Sequence, residues 1–433
     1  MLRFVFVVTV FISNISCALS DGRAPMPLPE SRAEIYAYYK LGWLADGYPG
    51  KYTDNGLVAH PIYGTYVIYD YLREYKRTAD SRYLDAAASV ARAGASRMED
   101  VGDALVFYYR PESGLTPLPD KFYSALTQSR WLDAFSKIYE LNGDLYFRDM
   151  ADKVFLSLSI PVDQGGVLKE VQGGVSIEEY PHKVPLYTLN GWLTALNIII
   201  EYAERSGNLN ARGLIDGNLH ALRKMLPLYD LPALSNSRYQ LANVAKIKFT
   251  GVKVVDVKVE IPGEGVFPLD DVQGVGRQWS NYLYPLSGAQ GLHAVLGYVS
   301  APQPNVLHIT TASDGVLNVD MGGSSYNPLV TSLAVRQWDR VGSFSVVGNK
   351  VAVSLPWSKA YLVAYPTAFT KKIGDKKYNV YHFIHINELM KLYRYTGDDV
   401  FKEYAERWRG YVASWKSIDA YRVPGVSLES YRP

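Results

Sequence analysis

Two carboxylates and a phenol stand together at Glu178-Glu179-Tyr180-Pro181, and a phenol precedes two imidazoles at Tyr381-His382-Phe383-Ile384-His385. Both stretches hold groups that move protons, so general acid–base chemistry is the first reading. Pro181 disfavours helix for Tyr180, and the glycines at 165, 166, 173 and 174 predict loops or a short hairpin just upstream. Side chains on such a segment can reach a cleft. Adjacent residues of an extended segment point opposite ways, so only one of Glu178 and Glu179 should face a ligand. The plainer alternative is a solvated acidic loop. Between the two stretches, Leu226-Pro227-Leu228-Tyr229-Asp230 closes a helix and Ser235-Asn236-Ser237-Arg238-Tyr239 reads as a polar turn. Tyr229 suits packing on its own domain. Tyr239 beside Arg238 is the stronger candidate, because a phenol of reference pKa about 10 needs nearby positive charge to act as a base.

His382 and His385 share one helix face at i,i+3 and could hold a metal. With 7 histidines in the chain and no third ligand nearby, hydrogen-bonded support at a helix start is the better reading. No metal is therefore assigned. A structural calcium is left open, but no EF-hand spacing supports one. Gly263-Glu264-Gly265 lacks the strand–glycine–helix context of a nucleotide site, and neither a Walker sequence nor a Gly-x-Ser-x-Gly elbow occurs. No cofactor is implied.

The elements that position these groups come next. At 433 residues the chain can build one large domain and a smaller one. A net charge of +2 argues against nucleic acid as partner. The 35 tyrosines suit helix interfaces and sugar clefts alike. Residues 1–20 resemble a secretory signal: Arg3 precedes the apolar run Phe4 to Ile12, and Ala18-Leu19-Ser20 offers small residues for cleavage. That run is too short to span a bilayer. A secreted or periplasmic chain, with no transmembrane segment after signal removal, is expected. The one cysteine, Cys17, lies inside this segment, so a mature chain would lack cysteine chemistry.

A unit then recurs. Tyr75, Asp80, Tyr83 and Ala87 are matched at identical spacing by Tyr139, Asp144, Phe147 and Ala151, and by Tyr393, Asp398, Phe401 and Ala405, with a looser copy from Tyr202 to Asn208. The pattern predicts an aromatic closing one helix, a turn, and an Asp capping the next. Helical pairs are expected over 30–98, 123–158, 189–226 and 381–415. Repeated helical hairpins make a solenoid or a closed toroid. Long irregular connections such as 162–185 favour a mainly α fold, an (α/α) toroid. From 246 to 378 the period alternates instead. Strands are predicted around Val252 to Val259, Asn305 to Thr311 and Ala360 to Tyr365, with a hairpin over Phe344 to Leu355 turning at Gly348-Asn349. A β-rich module, 246–378, is thus expected between helical parts 21–245 and 379–433.

Taken in order, Val58-Ala59-His60-Pro61, Phe122-Tyr123-Ser124-Ala125-Leu126, Glu178-Glu179-Tyr180-Pro181, Leu189-Asn190-Gly191-Trp192, Leu226-Pro227-Leu228-Tyr229-Asp230, the Tyr239 segment, Tyr381-His382 and His385-Ile386-Asn387 resemble the D-glucuronyl C5-epimerase family. The resemblance implies a polysaccharide uronate C5-epimerase, an isomerase that turns D-glucuronate-type units into L-iduronate-type units by proton removal and return. It also implies the toroid. The functional set carries over to Glu179, Tyr180, Tyr239 and Tyr381. Tyr123, Gln128, Glu178, Asn190, Tyr229, Arg238, His382 and His385 are the expected substrate-binding residues. The partner would be an anionic uronate-containing polysaccharide, and a homodimer is left open. Animal members carry a basic residue where this chain has Ala242, and their β-rich part precedes the helices instead of interrupting them. A uronate lyase cleaving by β-elimination and a non-catalytic glycan-binding protein are the rival readings.

Overall fold

The computed structural model describes residues 22–115, 120–181, 185–232, 235–241, 243–261, 265–268, 283–286, 289–296, 305–323, 337–355, 371–418, 421–422 and 424–431. The signal-like residues 1–20, Ala242 and the strand expected at Ala360 to Tyr365 lie outside them.

Four helical hairpins fall where the repeat places them. After the short α1 (Ala33–Tyr39), they are α2 (Tyr63–Thr78) with α3 (Ser81–Ala95), α4 (Ala125–Asn142) with α5 (Leu145–Ser157), α6 (Leu189–Ser206) with α7 (Leu209–Tyr229), and α8 (Val380–Thr396) with α9 (Asp399–Ser414). Each turn uses the same device. Ala79, Gly143, Gly207 and Gly397 take left-handed φ of 57–70°, and the side chains of Asp80, Asp144, Asn208 and Asp398 accept from backbone N–H groups two residues on. Caps of this kind satisfy orphan amides that would otherwise cost about 1 kcal/mol each. Of the residues three and seven positions after each cap, Ala87, Phe147, Ala151, Ala211, Ile215, Phe401 and Ala405 are buried in one helical core, and Tyr83 packs against it half-buried.

The first helices of the hairpins lie in a row, α2 against α4, α4 against α6 and α6 against α8, each backed by its own second helix. Close approach between them has a local cause. A Cβ on Gly94 of α3 would come within 2.2 Å of the Trp131 ring of α4, so glycine is what lets that indole into the interface.

Short strands fill the connections. β1 (Leu41–Trp43), β2 (Pro49–Thr53) and β3 (Gly56–Ala59) form one small sheet, and β4 (Glu99–Val101) pairs with β5 (Ala104–Val106). The hairpin expected near the glycines is β6 (Leu168–Val171) with β7 (Gly174–Ile177), turning at Gln172 and Gly173, both at positive φ. The polar turn pairs β8 (Asp230–Leu231) with β9 (Asn236–Ser237).

The β module is a sandwich with a core of its own. Its strands are β10 (Asn243–Gly251), β11 (Val254–Ile261), β12 (Gly265–Pro268), β13 (Leu283–Leu286), β14 (Ala289–Leu296), β15 (Val306–Thr311), β16 (Gly315–Gly323), β17 (Gln337–Val346) and β18 (Lys350–Ser354). They form antiparallel sheets of order β13-β14-β10-β16-β17 and β12-β11-β15-β18, closing over Ile247, Phe249, Val257, Val259, Leu307, Ile309, Leu317 and Val319. The alternation read in Val252 to Val259 is real but slips by one at Val255, where a bulge leaves Val255 and Asp256 both exposed. One expectation is corrected. The turn at Gly348-Asn349 exists, with both φ positive, yet β17 and β18 pair with different sheets and share only the Val347–Lys350 bridge. Burial of Val346 and Val353 in the same core carries the chain across the sandwich end rather than back along one sheet. The last hairpin of the stretch, β19 (Lys371–Ile373) with β20 (Lys376–Tyr378), leaves the sandwich: Ile373 joins the helical core and β19 packs on α1.

Candidate active site

The early turns of α2, α4, α6 and α8 open onto one cleft of about 620 Å³. Its wall includes Tyr63 and Tyr66 of α2, Leu126, Thr127 and Arg130 of α4, Asn190 of α6, and Val380, Tyr381 and Ile384 of α8. Four helix N-terminal regions therefore face the same space, each carrying partial positive charge that favours an anion. Tyr38 and Tyr39 of α1, His60, Tyr109 and Tyr431 complete an aromatic rim, and Lys371 of β19 stands among them.

Glu179 reaches this cleft from the bend after β7 and is 5% exposed. Gly191 makes room for it, since a Cβ there would meet the Glu179 Cβ at 2.7 Å. Asn190 Nδ2 donates to Glu179 Oε2 at 3.2 Å, and Tyr180 donates to the same carboxylate. Burial pushes the Glu179 pKa up to about 7, outweighing these hydrogen bonds and the positive charges of Arg130 and Lys371. Such a group both accepts and releases protons near neutrality.

Three phenols adjoin it. Tyr239 donates to Tyr180, and its ring meets that of Tyr381 edge-on with centroids 4.7 Å apart. Burial raises the Tyr381 pKa to about 12 while Lys371, 5.3 Å from the ring centroid, opposes the rise. Glu179, Tyr180, Tyr239 and Tyr381 thus gather although the sandwich separates Tyr239 from Tyr381 in sequence.

Adjacent carboxylates do face opposite ways. Glu178 turns inward, accepting from Ser176 Oγ at 3.0 Å and Tyr187 N at 3.0 Å. Of the expected binding residues, Asn190 lines the cleft, and its Oδ1 is buried without a partner. Glu178 and the other expected binding residues do not line it, which corrects the sequence reading. Tyr123 donates to Ser157 O at 2.8 Å inside the helical core. Gln128 is wholly engaged with Leu105 O, Ser157 Oγ and Phe107 N, joining β5 to the helices. Tyr229 donates to Tyr187 O at 2.7 Å. Arg238 is off the cleft wall, with burial drawing its pKa down to about 10.

The two histidines support the scaffold. His382 Nε2 lies 2.8 Å from Trp408 O, a carbonyl, so that nitrogen carries the proton and Nδ1 accepts, from Ser237 N at 3.2 Å and Ser237 Oγ at 2.9 Å. Ser237 Oγ in turn accepts from His385 Nδ1 at 2.8 Å, which leaves the His385 Nε2 lone pair bare, and that atom is indeed buried without a partner. Burial holds both rings neutral, His382 down to about 4 and His385 lower than its ordinary value. Asn379 adds a second tie, capping α8 and donating to Asn236 Oδ1 at 3.2 Å. These bonds fix the Tyr239 turn to the helix that carries Tyr381. Among the described residues no His, Cys, Asp and Glu cluster could hold a metal, and no helix is long and apolar enough to cross a membrane.

Arg130, Lys371, Tyr66 and His60 are cleft residues to which no site role was given from sequence. His60 belongs to a quoted motif; Arg130 carries a faint signal, standing three and four positions after Thr127 and Leu126 on one helix face.

Comparison with known proteins agrees with the motifs. Residues 104–256 match the family model "D-glucuronyl C5-epimerase C-terminus". A D-glucuronyl C5-epimerase of Caenorhabditis elegans is 26% identical over 140 residues, 30% of this chain and 22% of that protein. An uncharacterized protein of Methanocaldococcus jannaschii is 30% identical over 130 residues, 29% of this chain and 42% of that one. The chain thus spans less than half the length of either curated relative. The GH76A alpha-1,6-mannanase from Salegentibacter sp. HEL1_6 aligns over 48% of this chain and 53% of its own, with 14% identity and a TM-score of 0.34. The resemblance to the D-glucuronyl C5-epimerase family is shown over residues 104–256.

Proposed function

We propose, from that family match and the cleft together, that the protein is a uronate C5-epimerase acting on an anionic polysaccharide. The observation that carries the reading is the gathering of Glu179, Tyr180, Tyr239 and Tyr381 beside one cleft lined by helix N-terminal turns. A hydrogen at C5 lies α to a carboxylate and is very weakly acidic. Its removal needs a base, charge stabilisation for the electron pair left behind, and an acid on the opposite ring face. In this reading Glu179 takes the proton from C5, the pair delocalises onto the carboxylate, and Tyr381 returns a proton from the other face. The reverse direction exchanges their roles. Tyr180 and Tyr239 orient the pair through their hydrogen bonds. The four hairpins, with α1 and β19–β20 lying between α2 and α8, form a small (α/α) toroid, and the sandwich is a module inserted into it.

The test is solvent exchange. A uronate polymer incubated in D2O should gain deuterium at C5 without losing chain length, and E179Q or Y381F should abolish the gain. An unsaturated chain end would replace the reading with a lyase, and binding without exchange would replace it with a glycan-binding protein.

A further inference from the structure

The cleft wall carries positive charge that is only partly offset by carboxylates acting at a distance, Glu179 on both cations and Glu388 on Arg130. Arg130 and Lys371 both stand on its wall and both act electrostatically on Glu179 and on each other. Among the described residues neither is paired with a carboxylate. Arg130 Nε is buried without a hydrogen-bond partner, and its guanidinium lies 5.5 Å from the Tyr66 ring centroid. Lys371 Nζ donates to the phenol of Tyr39 at 3.0 Å and sits 5.3 Å from the centroid of Tyr381. Arg32, by contrast, is held by Asp70 at 3.1 Å. Burying an arginine and leaving one of its donors empty is costly unless an anion arrives to take it.

We infer that Arg130 of α4 and Lys371 of β19 form a two-point clamp for the carboxylate of the uronate unit in the cleft. This rests on the proposed reading of the same site and names the residues that recognise its substrate. It also supplies what Arg238 and His382 cannot, since neither lines the cleft. The guanidinium is a planar fork suited to a carboxylate, whereas the ammonium is a mobile point charge. An anion held between them would have its charge stabilised as the C5 proton leaves.

The test compares binding of a glucuronate-containing oligosaccharide with that of its carboxyl-reduced, neutral counterpart, by calorimetry, on the full chain. Wild type should prefer the acidic oligosaccharide, and R130M and K371M should each cut that preference by about 10- to 100-fold, the range expected for one charge-assisted hydrogen bond. Affinity for the neutral oligosaccharide should stay unchanged. Equal binding of the two sugars by wild type overturns the clamp. So does a variant that weakens both sugars alike, which marks a packing role. K371M carries the test if R130M does not fold, because Lys371 lies on a short two-stranded hairpin and not in a buried helix face. Loss of deuterium exchange in wild type, with the preference intact, would sink the epimerase reading and leave the clamp standing.

Discussion

Glu179 couples chemistry to stability through its raised pKa. Between about pH 4.5 and 7 the folded protein keeps a proton that the unfolded chain has released. Stability must therefore fall as pH rises through that window, by an amount on the order of 3 kcal/mol. E179Q removes the penalty while its amide oxygen still accepts from Asn190. Above pH 7 the variant should melt at higher temperature than wild type and show no deuterium exchange; an unchanged melting profile would mean the carboxylate is not buried as described. For wild type, exchange in the direction where Glu179 is the base should rise to a plateau above about pH 7. Gly191→Ala is a second probe. Its methyl would push against the Glu179 Cβ, and displacement of about 1 Å at a reacting group costs about 100-fold in rate. Such a loss should come with little change in affinity. The proline and adjacent carboxylates leave a local trace at 178–181, and the family resemblance, not the local pattern, singled out Glu179 and the three phenols. Arg130 and Lys371 leave almost none, since a single cation in a helix or strand is ordinary until the fold shows that no carboxylate among the described residues forms an ion pair with it.

At the scale of elements, the hairpin repeat was the most legible part of the chain. Its caps are chemical necessities at fixed spacing: the Asp398 side chain satisfies an orphan amide wherever the helix starts. Asp144→Ala should cost about 1 kcal/mol in denaturant titration and leave exchange per folded molecule unchanged. The sandwich was legible only as strands, because sheet order and the crossing at Gly348-Asn349 depend on contacts between distant segments. The role of the histidines was half legible. Hydrogen-bonded support was the better reading from sequence, but the partner that gives it, Ser237, lies more than a hundred residues away and shows only in the fold. S237A should strand the buried Nδ1 of His385 and leave Nδ1 of His382 with only the backbone N–H of residue 237, at a cost of about 1–3 kcal/mol, and let the Tyr239 turn drift from α8. The measurement is a lowered melting temperature together with a lowered exchange rate per folded molecule. A normal rate in the folded fraction would show that Tyr239 is held by other means. Because both rings are held neutral, stability should also decline as pH falls from 6.5 towards about 4, where the unfolded chain binds protons the folded one refuses.

Among the described residues the two large cores meet beside the site. The helical core runs from Ile35 to Trp408, whereas the sandwich core holds Ile247 to Leu355 and borrows one buried residue, Leu186, from the chain that follows the acidic bend. Tyr180 packs against the sandwich core and also against Tyr109 and Phe122 of the helical part. The segment is further tied by Leu241 N to Leu186 O at 3.0 Å and Leu189 N to Tyr239 O at 2.8 Å. Placement of Tyr180 and Tyr239 thus depends on the sandwich being docked, although no described sandwich residue lines the cleft. Leu186→Ala deletes the buried side chain that, among the described residues, crosses from the site segment into the sandwich. A buried Leu→Ala costs about 2–5 kcal/mol, and here the cost falls on docking and not on the helical core. Calorimetry should then show a sandwich transition separating from, and preceding, that of the helical body. Exchange at C5 should drop even below the first transition, because Tyr180 loses one of its two walls while Glu179 keeps Asn190. A single transition lowered as a whole, with exchange per folded molecule intact, would instead mean that the two cores unfold as one unit and that the sandwich does not help position the phenols.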